Sequence, residues 1–312
     1  MDLDFNAAAL LTGWMAATVR LAGPLLLVAL GELYAERAGV LNIGIEGMML
    51  LGALAAYLAT WITGEPWLGM LAAVVSGMVV GMFLAFMYVT VRASQVVVGI
   101  IFNIFALGLA SYIYRIAMGG VAGAQTVPMF TAKPVPWLSD IPYLGRMLFY
   151  HTMPLYLTAA LVFVAGVVLY RTTFGLNLRA VGENPSAADT AGINVVNYRY
   201  IAVLISTVAA GAAGAYLVLA QVGQFRETIV AGQGFIALAI VIFGRWDPYR
   251  AAIAALIFGA ADALQLTLQM FDTGVPAQLL LALPYIVTIL AMSGIIGKAH
   301  QPDALMVPYV KE

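Results

Sequence analysis

The sequence has no cysteine, which excludes a disulfide framework and a thiolate metal site. Charge is scarce: 9% of the residues are charged, against about 25% in a soluble globular chain. The two histidines, His151 and His300, stand far apart and form no metal-ligand spacing; no bound metal or cofactor is expected. No G-x-x-x-x-G-K-[ST] loop occurs, so the chain lacks that phosphate cradle. No nucleophile, base and orienting group can be assembled from its polar residues, so no enzyme is expected. A net charge of −1 gives no case for nucleic-acid binding. The start, MDLDFNAAAL, carries Asp2 and Asp4 in place of a basic signal region, so no cleavage is expected.

What the chain does have is apolar length. Hydrophobic residues make up 63% and the mean hydropathy is +0.97, too much apolar surface for one aqueous core, so the solvent is lipid. The expected fold is an all-α membrane protein, a single transmembrane domain over residues 1–312, built as a polytopic helical bundle. Runs of about twenty apolar residues give roughly nine spans. They lie at Leu10–Tyr34, Val40–Thr63, Pro66–Val91, Gln95–Met118, Met153–Tyr170, Tyr200–Gln221, Ile229–Gly244, Arg250–Met270 and Ala277–Gly294.

A polar island, RTTFGLNLRAVGENPSAADTAGINVVNYR, separates these runs at residues 171–199. Inside it a short helix is marked at both ends. Asn184 suits the N-cap, Pro185 the first helical position, and Gly192 the position past the end. The helix Pro185–Ala191 is about 10 Å long. It is too short to be stable alone in water, so either this chain or a soluble partner must hold it.

Basic residues suggest an orientation. If the 171–199 loop is cytoplasmic, alternation places Arg171, Arg179, Arg199, Arg37, Arg92, Arg245, Arg250, Lys298 and Lys311 on that side, nine of the fourteen. The remainder are Arg20, Arg115, Lys133, Arg146 and Arg226. This bias puts the N-terminus outside and the C-terminus inside. Arg20 would sit within the first span at a cost of at least ~2.5 kcal/mol. The first segment is therefore expected to start along the outer surface and turn inward near Gly23-Pro24. Residues 119–151 form a long external segment with Pro128, Pro134, Pro136 and Pro142, and with Trp137, Tyr143 and Tyr150. Its readings are a structured outer loop or a docking surface for an external partner.

Several polar residues fall at membrane depth. The glycine-rich stretch GELYAERAGVLNIGIEGMMLLGA carries Asn42 and Glu46, four apart and so on one face if helical. Its glycines allow close helix approach or a broken helix. Glu46 is read either as a packed, hydrogen-bonded carboxylate or as lining a pathway. Glu36 and Arg37 are expected at a solvated or paired turn. Asn103, beside Phe102 and Phe105, is either an interhelical hydrogen-bonding group or a solute contact. Gly232 and Gly234 flank Gln233 just before Phe235, a plausible helix break aimed at a cavity. Asp262, Gln265 and Gln269 make one polar stripe facing a pathway or a neighbouring helix.

Three stretches carry a resemblance: GELYAERAGVLNIGIEGMMLLGA, GLNLRAVGENPSAADTAGINVVNYRY and AGQGFIALAIVIFGRWDP. Together they resemble the permease subunits of bacterial ABC importers of the ribose/branched-chain-amino-acid type, in the simple-sugar/nucleoside subgroup. The likeness runs from about Leu21 to Gly297, and relative to the ribose branch the first span is absent. It implies that Glu183, Asn184, Pro185, Ser186, Ala187, Ala188, Asp189 and Gly192 form a coupling helix docked on a separate ABC ATPase, which binds ATP and magnesium. Small Ala187, Ala188 and Ala191 would allow close docking. The pathway candidates are Asn42, Glu46, Phe102, Asn103, Gln233, Phe235 and Asp262.

The resemblance further implies a second permease subunit, a heterodimer in preference to a homodimer, an external substrate-binding protein, and the inner membrane as location. The solute would be small and neutral, a nucleoside first and a simple sugar next, with branched-chain amino acids as rival. A rival of another class is an ion-coupled carrier using Glu46 and Asp262. The capped cytoplasmic helix argues against it, because such a carrier has no partner to dock.

Overall fold

Lipid offers backbone groups no hydrogen-bond partner, so apolar runs must satisfy themselves as helices. The computed structural model describes residues 7–119, 125–270, 276–290 and 300–311. The helices are α1 (Ala7–Arg37), α2 (Ile45–Thr63), α3 (Pro66–Ala85), α4 (Gln95–Met118), α5 (Leu144–Leu148), α6 (Met153–Arg171), α7 (Thr173–Glu183), α8 (Pro185–Thr190), α9 (Val195–Tyr216), α10 (Gln233–Phe243), α11 (Pro248–Met270), α12 (Ala277–Leu281) and α13 (Leu283–Leu290). Single π turns extend α3 over Phe86–Thr90 and α9 over Leu217–Val222.

The expected count of about nine spans is not reached among the described residues, where seven helices are long and apolar enough to cross a membrane. The run at Ile229–Gly244 yields only α10, whose eleven residues reach about 16 Å, half of a ~30 Å hydrocarbon core. The last run, Ala277–Gly294, yields the short α12 and α13; residues 291–294 lie outside the described residues, as do Lys298 and the MDLDFN start.

Nor does the first segment turn at Gly23-Pro24. Helix α1 runs through Pro24 without a break. Proline has no N–H to give the carbonyl four residues back, here that of Arg20. That oxygen instead accepts from Gln221 Nε2 at 3.1 Å. The helix tolerates its proline because a neighbour supplies the missing donor.

The packed centre is α9 against α1, α2 and α3. Helices approach this closely only where side chains vanish. A methyl group at Gly214 would overlap the Met49 carbonyl, and one at Gly52 would overlap the Gly211 backbone.

Two ends can be told apart. At the basic end, Arg37 Nε donates to the Trp246 carbonyl at 3.0 Å, Tyr170 donates to Asp247 at 2.9 Å, and Thr90 meets Tyr200 through their hydroxyls. Glu36 is not a solvated turn residue: it is buried and accepts from Trp246 Nε1 at 2.5 Å. At the other end, residues 125–152 form a structured loop. Strands β1 (Ala132–Pro134) and β2 (Tyr150–Thr152) pair antiparallel, with Lys133 opposite His151, an exception to an otherwise helical fold. Val127 N and Phe130 N donate to the carbonyls of Gly223 and Leu219 at 2.9 and 2.8 Å, seating the loop on the end of α9. Burial holds the His151 imidazole below its ordinary pKa despite a hydrogen bond to the Met147 carbonyl, which favours the neutral ring. Part of the predicted external segment, residues 120–124, lies outside the described residues.

Candidate functional site

The polar island is mostly helical. Thr172 caps α7, its hydroxyl accepting from Gly175 N at 3.2 Å. Leu178 and Val181 of α7 are buried and Phe174 stacks on Tyr198. That spacing of Phe174, Leu178 and Val181 is helical, a signal hidden by the surrounding polar residues.

Helix α8 follows after one residue. Asn184, extended at φ −147° and ψ 92°, ends α7 and starts α8, and its Oδ1 accepts from Ala187 N at 3.0 Å. Pro185 opens the helix and Gly192 follows it at φ +84°, a conformation glycine adopts without steric cost. Glu183, Asn184, Ser186, Ala187 and Gly192 are exposed, as is Ala191. Ala188 is not: it is 3% exposed and packs with Val181 and Val195 of this chain. The expectation that Ala188 faces a partner is thereby corrected, because the helix turns that side to its own α7 and α9.

The segment 300–311 lies under this region, which nothing in its sequence suggests. Asp303 N donates to Glu183 Oε2 at 3.4 Å. Ala304 N donates to the Gly182 carbonyl at 2.9 Å and Met306 N to the Gly39 carbonyl at 3.1 Å. Arg199, expected in the polar loop, is buried in the first turn of α9 and donates through Nη1 to the Val307 carbonyl at 2.9 Å. Lys311 reaches Asp189 at 3.4 Å.

The second cluster lies inside the helical bundle. Asn42 and Glu46 do not share a helical face, since α2 begins at Ile45 and Asn42 belongs to the preceding coil. Asn42 is fully buried in a network. Its N–H donates to Glu32 Oε1 at 2.8 Å and its Nδ2 to Ser206 Oγ at 3.0 Å. Ser206 donates to Glu32 Oε2 at 2.6 Å, and Tyr88 donates to Asn42 Oδ1 at 3.2 Å. The role of Glu32, Tyr88 and Ser206 is missed by sequence reasoning, because the partners lie 10 to 174 residues apart and leave no helical or strand periodicity.

Glu46 grips the start of α10. Its Oε1 accepts from Gly232 N and its Oε2 from Gly234 N, each at 2.8 Å. Gly232 stands at φ +85°, which breaks the chain before α10 and turns these N–H groups toward the carboxylate. Gln233, between them, keeps a buried Oε1 with no hydrogen-bond partner among the described residues. The carboxylate on α2 and the broken helix are thus one unit.

Asn103 is a fastening. Its Oδ1 accepts from Gly47 N at 2.8 Å and its Nδ2 donates to the Ile43 carbonyl at 2.9 Å, which spends both ends of the amide. Phe102 is buried against the Gly44 position. Phe235 is 49% exposed and joins no hydrogen bond with Glu46. Asp262 is half-buried on α11, with Gln265 buried and Gln269 exposed beside it. Asn103→Ala should lower stability by about 2 kcal/mol, as two backbone groups lose their partner. Thermal unfolding of the purified protein checks this, and an unchanged midpoint would refute the fastening.

Comparison with known proteins gives consistent relatives. The family model described as branched-chain amino acid transport system / permease component matches residues 14–292. The chain is 40% identical to the guanosine ABC transporter permease protein NupQ of Bacillus subtilis, over 95% of each chain. It is 36% identical to the nucleoside ABC transporter permease protein NupC of Lactococcus lactis, over 92% of this chain and 93% of that one. It is likewise 36% identical to the putative glucose ABC transporter permease protein TsgC13 of Haloferax volcanii, over 96% of this chain and 98% of that one, and 27% identical to the guanosine ABC transporter permease protein NupP of Bacillus subtilis, over 85% of this chain and 77% of that one. A solved ABC transporter in an inward-facing conformation is similar in fold, with a TM-score of 0.51 and 12% identity over 90% of this chain and 84% of that one.

Proposed function

This chain belongs to the family of branched-chain amino acid transport permease components, and on that footing we propose that it is the membrane-spanning subunit of an ATP-driven importer of nucleosides. The observation that carries the substrate class is the 40% identity to a guanosine permease along 95% of both chains. The family description names another solute, but the relatives alike along most of their length are two nucleoside permeases, at 40% and 36%, beside a putative glucose permease at 36%. A neutral solute also suits the chemistry: the one membrane-depth carboxylate beside the broken helix is already bound by two backbone N–H groups.

In this reading ATP and magnesium bind a separate ABC ATPase, and the chain holds no cofactor of its own. The exposed side of α8, with Ser186, Ala187 and Ala191, docks on that ATPase, and Glu183 and Asn184 pair at its rim. A second, non-identical permease completes the pore, as the two guanosine permeases of Bacillus subtilis suggest. An external binding protein delivers the solute to the loop end. The basic end faces the cytoplasm, in keeping with the positive-inside rule. Nucleotide binding closes the ATPases, α8 moves as a lever, and the pore opens to the other side. Contacts along the path stay weak, so that solute both enters and leaves.

Uptake of labelled guanosine by the reconstituted assembly tests this. Uptake should require ATP, and unlabelled nucleosides should compete while glucose and leucine do not. Competition by glucose alone would reassign the substrate. Uptake driven by an ion gradient without ATP would remove the ABC reading and restore the ion-coupled carrier.

A further inference from the structure

Helix α8 is poorly built to transmit force alone. It has six residues, and it is joined to α7 by the single extended residue Asn184 and to α9 across Gly192. A push on its outer face could be absorbed by rotation at those two points. The segment 300–311 bridges them. It holds Gly182 and Glu183 before the Asn184 joint and Asp189 beyond it. Tyr309 packs against the cluster of Val181, Ala188 and Val195, which spans α7, α8 and α9. The same segment is tied to Arg199 at the start of α9 and to Gly39 in the turn between α1 and α2. That turn leads directly to Asn42, held by Glu32, and then to Glu46, held to the break before α10.

We propose that residues 302–311 are a strap that fuses α7, α8 and the α1–α2 turn into one rigid body, so that displacement of α8 is delivered to the Glu46 clamp. The inference rests on the reading of α8 as the helix moved by a separate ATPase. The strap is a positioning element, with no contact to solute. It stays fastened throughout the cycle, which separates it from a latch that must open.

The test uses the assembled transporter in vesicles, with cysteine-free partner subunits, and reads solute moved per ATP hydrolysed. Deletion of residues 302–312 should lower that ratio about tenfold, while the ATPase still co-purifies. In a second arm, Asp189→Cys and Lys311→Cys are combined in this otherwise cysteine-free chain and bridged with a short bismaleimide. The ratio should stay within about twofold of the same variant before bridging. An unchanged ratio after deletion, or loss of transport on bridging, overturns the strap. If the deleted chain does not insert, the bridging arm decides alone. Ala187→Arg separates the two readings. If it leaves the ATPase bound and transport coupled, the docking role of α8 fails and the strap with it. If it uncouples while the strap arms come out contrary, only the strap fails.

Discussion

Glu46→Ala is expected to abolish transport and to lower the unfolding midpoint, and Glu46→Gln to keep part of both. The carboxylate accepts two backbone N–H groups, one per oxygen, at the point where Gly232 breaks the chain before α10. Each such bond to a charged group contributes about 1.5–3 kcal/mol, and an orphaned buried donor costs a similar amount. Alanine orphans both donors, for a loss of about 4 kcal/mol. Glutamine keeps one acceptor oxygen and turns an NH2 group toward the other donor, so it should lose about half. The order wild type, Gln, Ala should appear in both thermal unfolding and uptake. An alanine variant with native transport and native stability would reduce this carboxylate to an incidental contact.

The second large effect separates two neighbouring alanines. Ala187→Arg should leave membrane insertion and yield intact while the ATPase no longer co-purifies, because residue 187 is on the exposed side of α8. Ala188→Arg should fail earlier. Its side chain would be forced between Val181 and Val195 at a site only 3% exposed. Overpacking costs about 1–3 kcal/mol and an unpaired buried charge about 3–5 kcal/mol, so low yield and a displaced α8 are expected. Pull-down of the ATPase and yield after size exclusion read both outcomes. Equal behaviour of the two variants would contradict the facing of this helix.

Local signals were legible in the sequence. Asn184, Pro185 and Gly192 mark the ends of α8 within one residue, because caps are set by neighbours in the chain. The run Gln95–Met118 matches α4 at both ends. The family was legible too, since its motifs are long. Partnership was not. Asn42 and Glu46 look like one helical face, yet Asn42 is drawn into the coil by Glu32, Tyr88 and Ser206. Periodicity sees spacing along one helix and is blind to a hydroxyl supplied by another. Pro24 and Arg20 look like the end of a surface helix for the same reason, since Gln221, which satisfies the freed carbonyl, comes 201 residues later. The fastening of residues 300–311 combines two main-chain bonds, which leave no mark in side-chain identity, with the side chains of Glu183, Arg199 and Asp189, all more than a hundred residues away in the chain.

The glycine contacts of α9 bear on how such a bundle can open. Where Gly214 touches the Met49 carbonyl and Gly52 touches Gly211, two main chains meet with no side chain between them. Neither can slide or roll past the other without collision, so α2 and α9 form a chassis. Relative motion in the bundle is then left to helices outside this pair, and the half-length α10 is bound to it both through Glu46 and by burial of Ile236, Ala237, Ile240 and Val241.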